Sequence, residues 1–340
     1  MRAKIALTLG ALIFSTAPWA QNAPVPPAPP SSTPAQAIQL QTVTVRGEQP
    51  GPALWEVRKA DHVLWIIGTL APLPRHAEWQ WPQLEHVLER STELLEAPSA
   101  RLKMPSGLFS RLALQPSAKL NPGGGTLQRL LPPDMYQRWR ALNHQYLGDD
   151  NALEFQRPIV VAQALYEKAL AASDLTNDID VAAMVEKLAR KHGNRVIGVR
   201  YELLITRAPP SKSIDQDQQQ GITCLDETMN LVEHDLPKLT QRANAWATGD
   251  MKTLQALMPQ QTSEPCIVSA INGDFEHQLD IPDLPQRIEK AWFEAAQAAL
   301  TRNRQTVAIL SMDQIMSTDG YLARLKSLGY QVRSPDEIKQ

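Results

Sequence analysis

Cysteine is almost missing from this chain of 340 residues, which has only Cys224 and Cys266. No histidine or further cysteine sits beside either at ligand spacing, so a cysteine-based metal site is not supported. Nor does either have a histidine neighbour that would make it a nucleophile. Excess charge of one sign is also lacking: 34 Lys and Arg face 36 Asp and Glu. Composition therefore offers nothing in favour of nucleic acid or an anionic membrane as partner. Long apolar runs are missing too. The most apolar stretch, Ile5 to Phe14, is about half of the roughly 20 residues that a spanning helix needs. Two hydrolase signatures, Gly-x-Ser-x-Gly and His-Glu-x-x-His, do not occur. Gly123-Gly124-Gly125-Thr126 lacks the Gly-Lys-Ser/Thr of a phosphate loop and reads as a flexible helix entry.

What is present begins with an export signal. Arg2 and Lys4 precede the apolar stretch, and Ala20 supplies the small residue before a cleavage point. The mature chain is expected to be soluble and exported, periplasmic or secreted, with no transmembrane segment. In such an oxidising compartment an isolated cysteine pair is expected to form a disulfide, Cys224–Cys266. Residues 21–51 form a linker whose first part is dense in Pro, Ala and Ser and cannot bury a core. Ile38 to Val45 alternates in the manner of a strand.

A globular domain is expected over residues 52–340. Leu54 to Val57 and His62 to Ile67 flank the polar turn Lys59-Ala60-Asp61 and read as a hairpin. A helix over Trp81 to Arg90 carries Leu84, Val87 and Leu88 on one face, and Thr92 to Leu95 is a short buried strand ending at Glu96. The region from Pro98 to Gly125 gives no clear pattern. Further helices are expected behind Asp134, from Pro158 to about Ala172, and behind Asp180 with Val181, Met184, Val185 and Leu188 on one face. Gly193 stops that helix and Arg195 to Val199 follows as a strand. Asp226 to Gly249 is helical with a break near Pro237, and a short helix follows Asp250. The chain closes with a helix from about Arg287 to Arg302, a strand from Thr306 to Leu310, a helix through Tyr321, Leu325 and Leu328, and a strand over Tyr330 to Val332. This alternation predicts an α/β fold: a central mixed, largely parallel sheet with helices on its faces and a helical insertion.

Ligands of open α/β sheets bind beyond the carboxyl ends of strands. Gly68, Glu96 and Ser311 each fall immediately after an expected strand. The segments Gly68-Thr69-Leu70-Ala71 and Ser311-Met312-Asp313-Gln314 resemble the two Gly-x-x-His motifs of the TraB/GumN family, which includes the Tiki-type metalloproteases. Pro72-Leu73-Pro74, Arg157-Pro158, Ala245-Trp246-Ala247-Thr248-Gly249-Asp250, Asp319-Gly320 and Leu328-Gly329-Tyr330-Gln331-Val332 extend the resemblance over nearly all of the globular region.

The resemblance implies one cleft built from two histidines, a glutamate and an arginine around a divalent metal such as Mn, Co or Zn. Here Ala71 and Gln314 stand at the histidine positions and Ser311 at the second glycine. Glu96 matches the glutamate and Arg287 the arginine. These are the inherited catalytic positions, with Gly68, Ala71, Arg200, Ser311, Asp313 and Gln314 lining the cleft. Ala71 has no donor atom, and a neutral amide is a poor substitute for imidazole. No metal and no cofactor is therefore expected; a remodelled site of Glu96, His76 and Asp313 is the alternative. Arg200 stands where relatives commonly carry a glutamate, and it can pair with Glu96 or Glu202. The expected function is that of a pseudoenzyme: a non-catalytic binding protein of the Gram-negative envelope, with a protein or peptide as partner. The alternative is a metal-dependent peptidase or hydrolase.

Overall fold

The computed structural model describes residues 43–103, 119–204, 214–258, 266–267 and 283–338. The export signal and the Pro-rich stretch fall outside these residues. In chain order the main elements are β1 (Gly47–Gln49), β2 (Leu54–Lys59), β3 (His62–Thr69), β4 (Leu73–Pro74), β5 (Ala77–Trp79), α1 (Pro82–Arg90), β6 (Glu93–Leu95) and β7 (Ser99–Lys103). Next come α2 (Pro133–Leu142), α3 (Pro158–Ala172), β8 (Leu175–Thr176), α4 (Val181–Lys191), β9 (Arg195–Ile197), β10 (Arg200–Leu204), α5 (Ile214–Asn230), α6 (Leu236–Thr248) and α7 (Met251–Leu257). The last are α8 (Leu284–Arg302), β11 (Gln305–Ser311), α9 (Met312–Met316), α10 (Tyr321–Ser327) and β12 (Gln331–Arg333).

Six strands form the main sheet in the order β12-β2-β3-β11-β6-β9. β2 runs antiparallel to both neighbours, whereas β3, β11, β6 and β9 are mutually parallel. The fold is thus the mixed, mostly parallel α/β sheet that the alternation of elements predicts. β11 is central because Val307, Ala308, Ile309 and Leu310 are all fully buried, as a strand covered on both faces requires. Val307, Ile309 and Leu310 each contribute roughly 1.5–3 kcal/mol relative to exposure, and the methyl group of Ala308 less.

A second core is built from helices. Trp139 of α2, Leu165 and Tyr166 of α3, Leu225 and Met229 of α5 and Leu239 of α6 meet there. Cys224 and Cys266 are bonded, with Cα atoms 5.5 Å apart, and Ile267 inserts into this core beside them. Between α5 and α6 the helix widens into a π turn over Leu231–Asp235. Pro237 lies at the start of α6 and has no N–H for the preceding turn, which accounts for the break expected there.

Four expectations need correction. The described part of Ile38 to Val45 is not a strand; the strand is β1, two residues later, paired with β5. Asp134 is not a cap but sits in the first turn of α2, which Pro132 and Pro133 open. In α4, Met184 is exposed and the inward face is Val181, Val185 and Ala189, while Asp180 does cap through Ala183 N–H. The strand after Gly193 stops at Ile197, and beyond it β10 pairs in parallel with β7. These two strands carry β9 and β6 past the end of the main sheet, since Glu96 N–H donates to Ile197 O and Ser99 N–H to Val199 O. Neither β7 nor β10 has the continuous apolar run by which the central strands are read.

Among the described residues, no helix is long and apolar enough to cross a membrane.

Candidate functional site

β3, β11 and β6 are adjacent and parallel, so their carboxyl ends lie side by side. Gly68 pairs with Leu310 and Thr69 with Ser311, while Ala308 pairs with Leu95, which places Glu96 one residue beyond its strand.

The turn from β11 into α9 lies directly against the end of β3. A side chain at Gly68 would meet Met312 Sδ at 2.3 Å and Ile315 Cδ1 at 3.0 Å. A larger residue at Gly68 would push the Met312 and Ile315 side chains aside. The Gly68 carbonyl accepts a 2.9 Å hydrogen bond from the buried Trp246 indole, which also meets Trp79 edge-on. The Ala245 to Asp250 segment therefore props up the end of β3. Gly320 has an equivalent part behind α9: a Cβ there would lie 2.4 Å from the Gln314 carbonyl oxygen.

Gln314 is committed within its own turn. Ser311 Oγ accepts from Gln314 N–H at 3.2 Å, and Gln314 Oε1 accepts from Ser311 N–H at 3.0 Å. This reciprocal capping box stabilises the first turn of α9. Replacing Gln314 with alanine should cost about 1 kcal/mol of stability, measured by urea unfolding, while Gln314→Glu should restore most of it. Equal stability of the alanine and native proteins would remove the capping role.

Glu96 is mostly buried and pairs with Arg200, Nη2 to Oε2 at 2.7 Å. Gly198 makes room for this pair: a Cβ there would lie 3.3 Å from Glu96 Oε2 and 3.5 Å from Arg200 Cζ. Glu202 pairs instead with Lys103, at 2.5 Å. Arg287, exposed in the first turn of α8, bonds to Asp283 and donates to the Tyr201 hydroxyl at 3.2 Å. Tyr201 neighbours Arg200 on β10, and successive strand residues project to opposite faces, so the Arg287–Tyr201 contact and the Glu96–Arg200 pair do not share one face.

Asp313, within α9, is largely buried. Burial pushes its carboxyl above the ordinary aspartate range, and the Arg242 guanidinium pulls in the opposite direction. His76 is exposed and faces Asp174, with Nε2 3.3 Å from Oδ1. Ala71 is half-buried just beyond β3.

The structure thus joins Glu96 to Arg200, Ser311 to Gln314, and Gly68 to the helix carrying Asp313. Among the described residues, no hydrogen bond or ion pair links Glu96 to Gln314, Asp313 or His76, and no three or more His, Cys, Asp or Glu side chains gather as a metal site. The side chains present do not fit a transition-metal centre. Ala71 carries only a methyl group, the Gln314 amide oxygen serves its own helix, and Glu96 is held by the Arg200 guanidinium.

Gly198, Tyr201 and the contact of Trp246 with Gly68 enter the site only through the fold. Only Gly198, following a strand in Arg195-Val196-Ile197-Gly198, carried a signal that marks close approach.

Neither the curated proteins nor the solved structures include a match to the chain. The TraB/PrgY/gumN family profile matches residues 53–334, nearly the whole of the sheet and the helices around it. With its motif segments at the carboxyl ends of adjacent strands, this chain belongs to the TraB/PrgY/gumN family.

Proposed function

We propose that this chain is an exported binding protein of the cell envelope in which an ancestral metal-hydrolase site has been rebuilt without its metal. The observation that carries this reading is the Glu96–Arg200 pair, a guanidinium cation set against the glutamate that would otherwise face a metal. The capped Gln314 supports it, because its amide oxygen is already used. The half-exposed Arg200 offers donors suited to the carbonyl and carboxylate groups of a protein or peptide partner. The Cys224–Cys266 disulfide fits an extracellular or periplasmic compartment.

Equilibrium dialysis of the mature protein against Mn²⁺, Co²⁺ and Zn²⁺ tests the proposal. The native chain and a Glu96→Ala variant should bind each ion equally weakly, and neither should cleave peptides in a metal-dependent way. Stoichiometric metal in the native protein that is lost on changing Glu96, His76 or Asp313 would overturn it and favour a metal-dependent peptidase.

A further inference from the structure

Residues 43–49 are fastened to the domain mainly by polar bonds. Asn244 of α6 grips the backbone on both sides of Thr44: its Nδ2 donates to Val43 O at 2.8 Å, and its Oδ1 accepts from Val45 N–H at 2.9 Å. Asp174, left-handed at φ 58° just beyond α3, takes the alternate side chains. It accepts from Thr44 Oγ1 at 3.3 Å and pairs with Arg46 at 2.6 Å, while His76 faces its other oxygen. The chain then runs parallel to β5, where Gly47 N–H donates to His76 O and Gln80 N–H to Gln49 O, both at 3.1 Å.

Burial changes abruptly at the edges of this unit. None of residues 43–47, 49 and 76–80 is buried, whereas Gly51, Ala53 to Val57 and Pro72 to Pro74 are. A lone two-stranded pair is marginally stable, and segments held by exposed hydrogen bonds with few apolar contacts open well below the free energy of global unfolding. Both edges are anchored. Gly51, left-handed at φ 80°, donates its N–H to Ala247 O at 3.2 Å, and Arg75 N–H donates to Asp174 O at 2.9 Å beside the β4–β8 pair.

Beneath the unit lies the support of the strand-end site. Val45 and Trp79 pack against the main core, and the Trp79 ring stands edge-on to Trp246 with centroids 5.6 Å apart. Trp246, two residues after Asn244, is the residue whose indole N–H holds the Gly68 carbonyl. We propose that residues 43–49 and 76–80 form a flap that opens as one unit while the main sheet stays folded, uncovering the Trp246 indole behind the end of β3. Asn244 and Asp174 are its latch, and Gly51 and Arg75 mark its hinges. Closed, the flap fixes the chain that follows Ala71 and Pro72. Open, it gives access to the strand-end site from the side of Gly68.

The test is native-state hydrogen exchange of the full mature chain, labelled with nitrogen-15 and followed by NMR. The N–H groups of Val45, Gly47 and Gln80 should exchange through one common opening, at least about a hundredfold more populated than the opening that exposes the slowest amides of β11. The Trp246 indole N–H should exchange with the flap rather than with β11. Asn244→Ala removes both bonds to the Val43–Val45 backbone and should speed all four groups about tenfold while leaving β11 unchanged. Arg46→Ala, a change at an exposed side chain, should speed them roughly twofold to threefold. Flap amides that exchange only together with β11 would overturn the proposal. So would unequal openings for Val45 and Gln80, which mark simple fraying, an Asn244→Ala effect confined to Val45, or a Trp246 indole that follows β11.

Discussion

Opening the Cys224–Cys266 bond should lower the stability of the mature protein by about 4 kcal/mol, the chain-entropy value for a loop closed across a sequence separation of 42. The bond anchors Ile267 in the helical core, and the Cys266 N–H donates to Glu227 at 3.3 Å, so native contacts are lost along with the constraint. Urea unfolding with and without reductant, and of a chain carrying Cys224→Ser and Cys266→Ser, measures the effect. An unchanged midpoint in all three samples would show that the helical core holds the segment without the bond.

The second large effect is expected at Glu93, three residues before Glu96 but at the opposite end of β6. Its carboxylate is fully buried and doubly held: Oε1 pairs with Arg195, and Oε2 accepts from Arg302 at 2.7 Å and Asn303 at 2.9 Å. Burial pushes this carboxyl upward, but the hydrogen bonds from Arg302 and Asn303 and the charges of Arg302 and Arg195 together outweigh it. The folded-state value is therefore below the usual glutamate range. Glu93→Ala should cost about 2–3 kcal/mol at neutral pH, because Asn303 loses a buried partner while the two arginines can regain water. Since the folded pKa is depressed, the stabilisation is complete above the unfolded value of about 4.3 and is lost as pH falls through the lower folded value. The native and variant stability curves should thus converge in acid. Parallel curves down to the lowest workable pH would remove this account of Glu93.

Much of the fold could be read from short stretches. The Lys59-Ala60-Asp61 turn, the start of α3 at Pro158, the Asp180 and Asp250 caps, the left-handed stops at Gly193, Gly249 and Gly329, and the apolar run of β11 each act within a few residues. One local signal was readable and misassigned. Ser311-x-x-Gln314 has the spacing of a capping box, and the structure uses it as one, whereas the resemblance sets Gln314 at a ligand position.

What the sequence by itself determined is the order and kind of the main helices and of the main-sheet strands, though not of β1, β7 or β10, because period, caps and turn residues are local forces. What only the tertiary structure decided is which groups meet. Glu96 finds Arg200 across 104 residues, Glu93 finds Asn303 across 210, and Trp246 reaches Gly68 across 178. Each meeting depends on strand order and on helix packing against the sheet. The same glutamate side chain therefore becomes a buried structural anion at position 93 and one arm of a strand-end ion pair at position 96. The difference lies in the end of the strand at which each stands and in the distant residues the fold brings there.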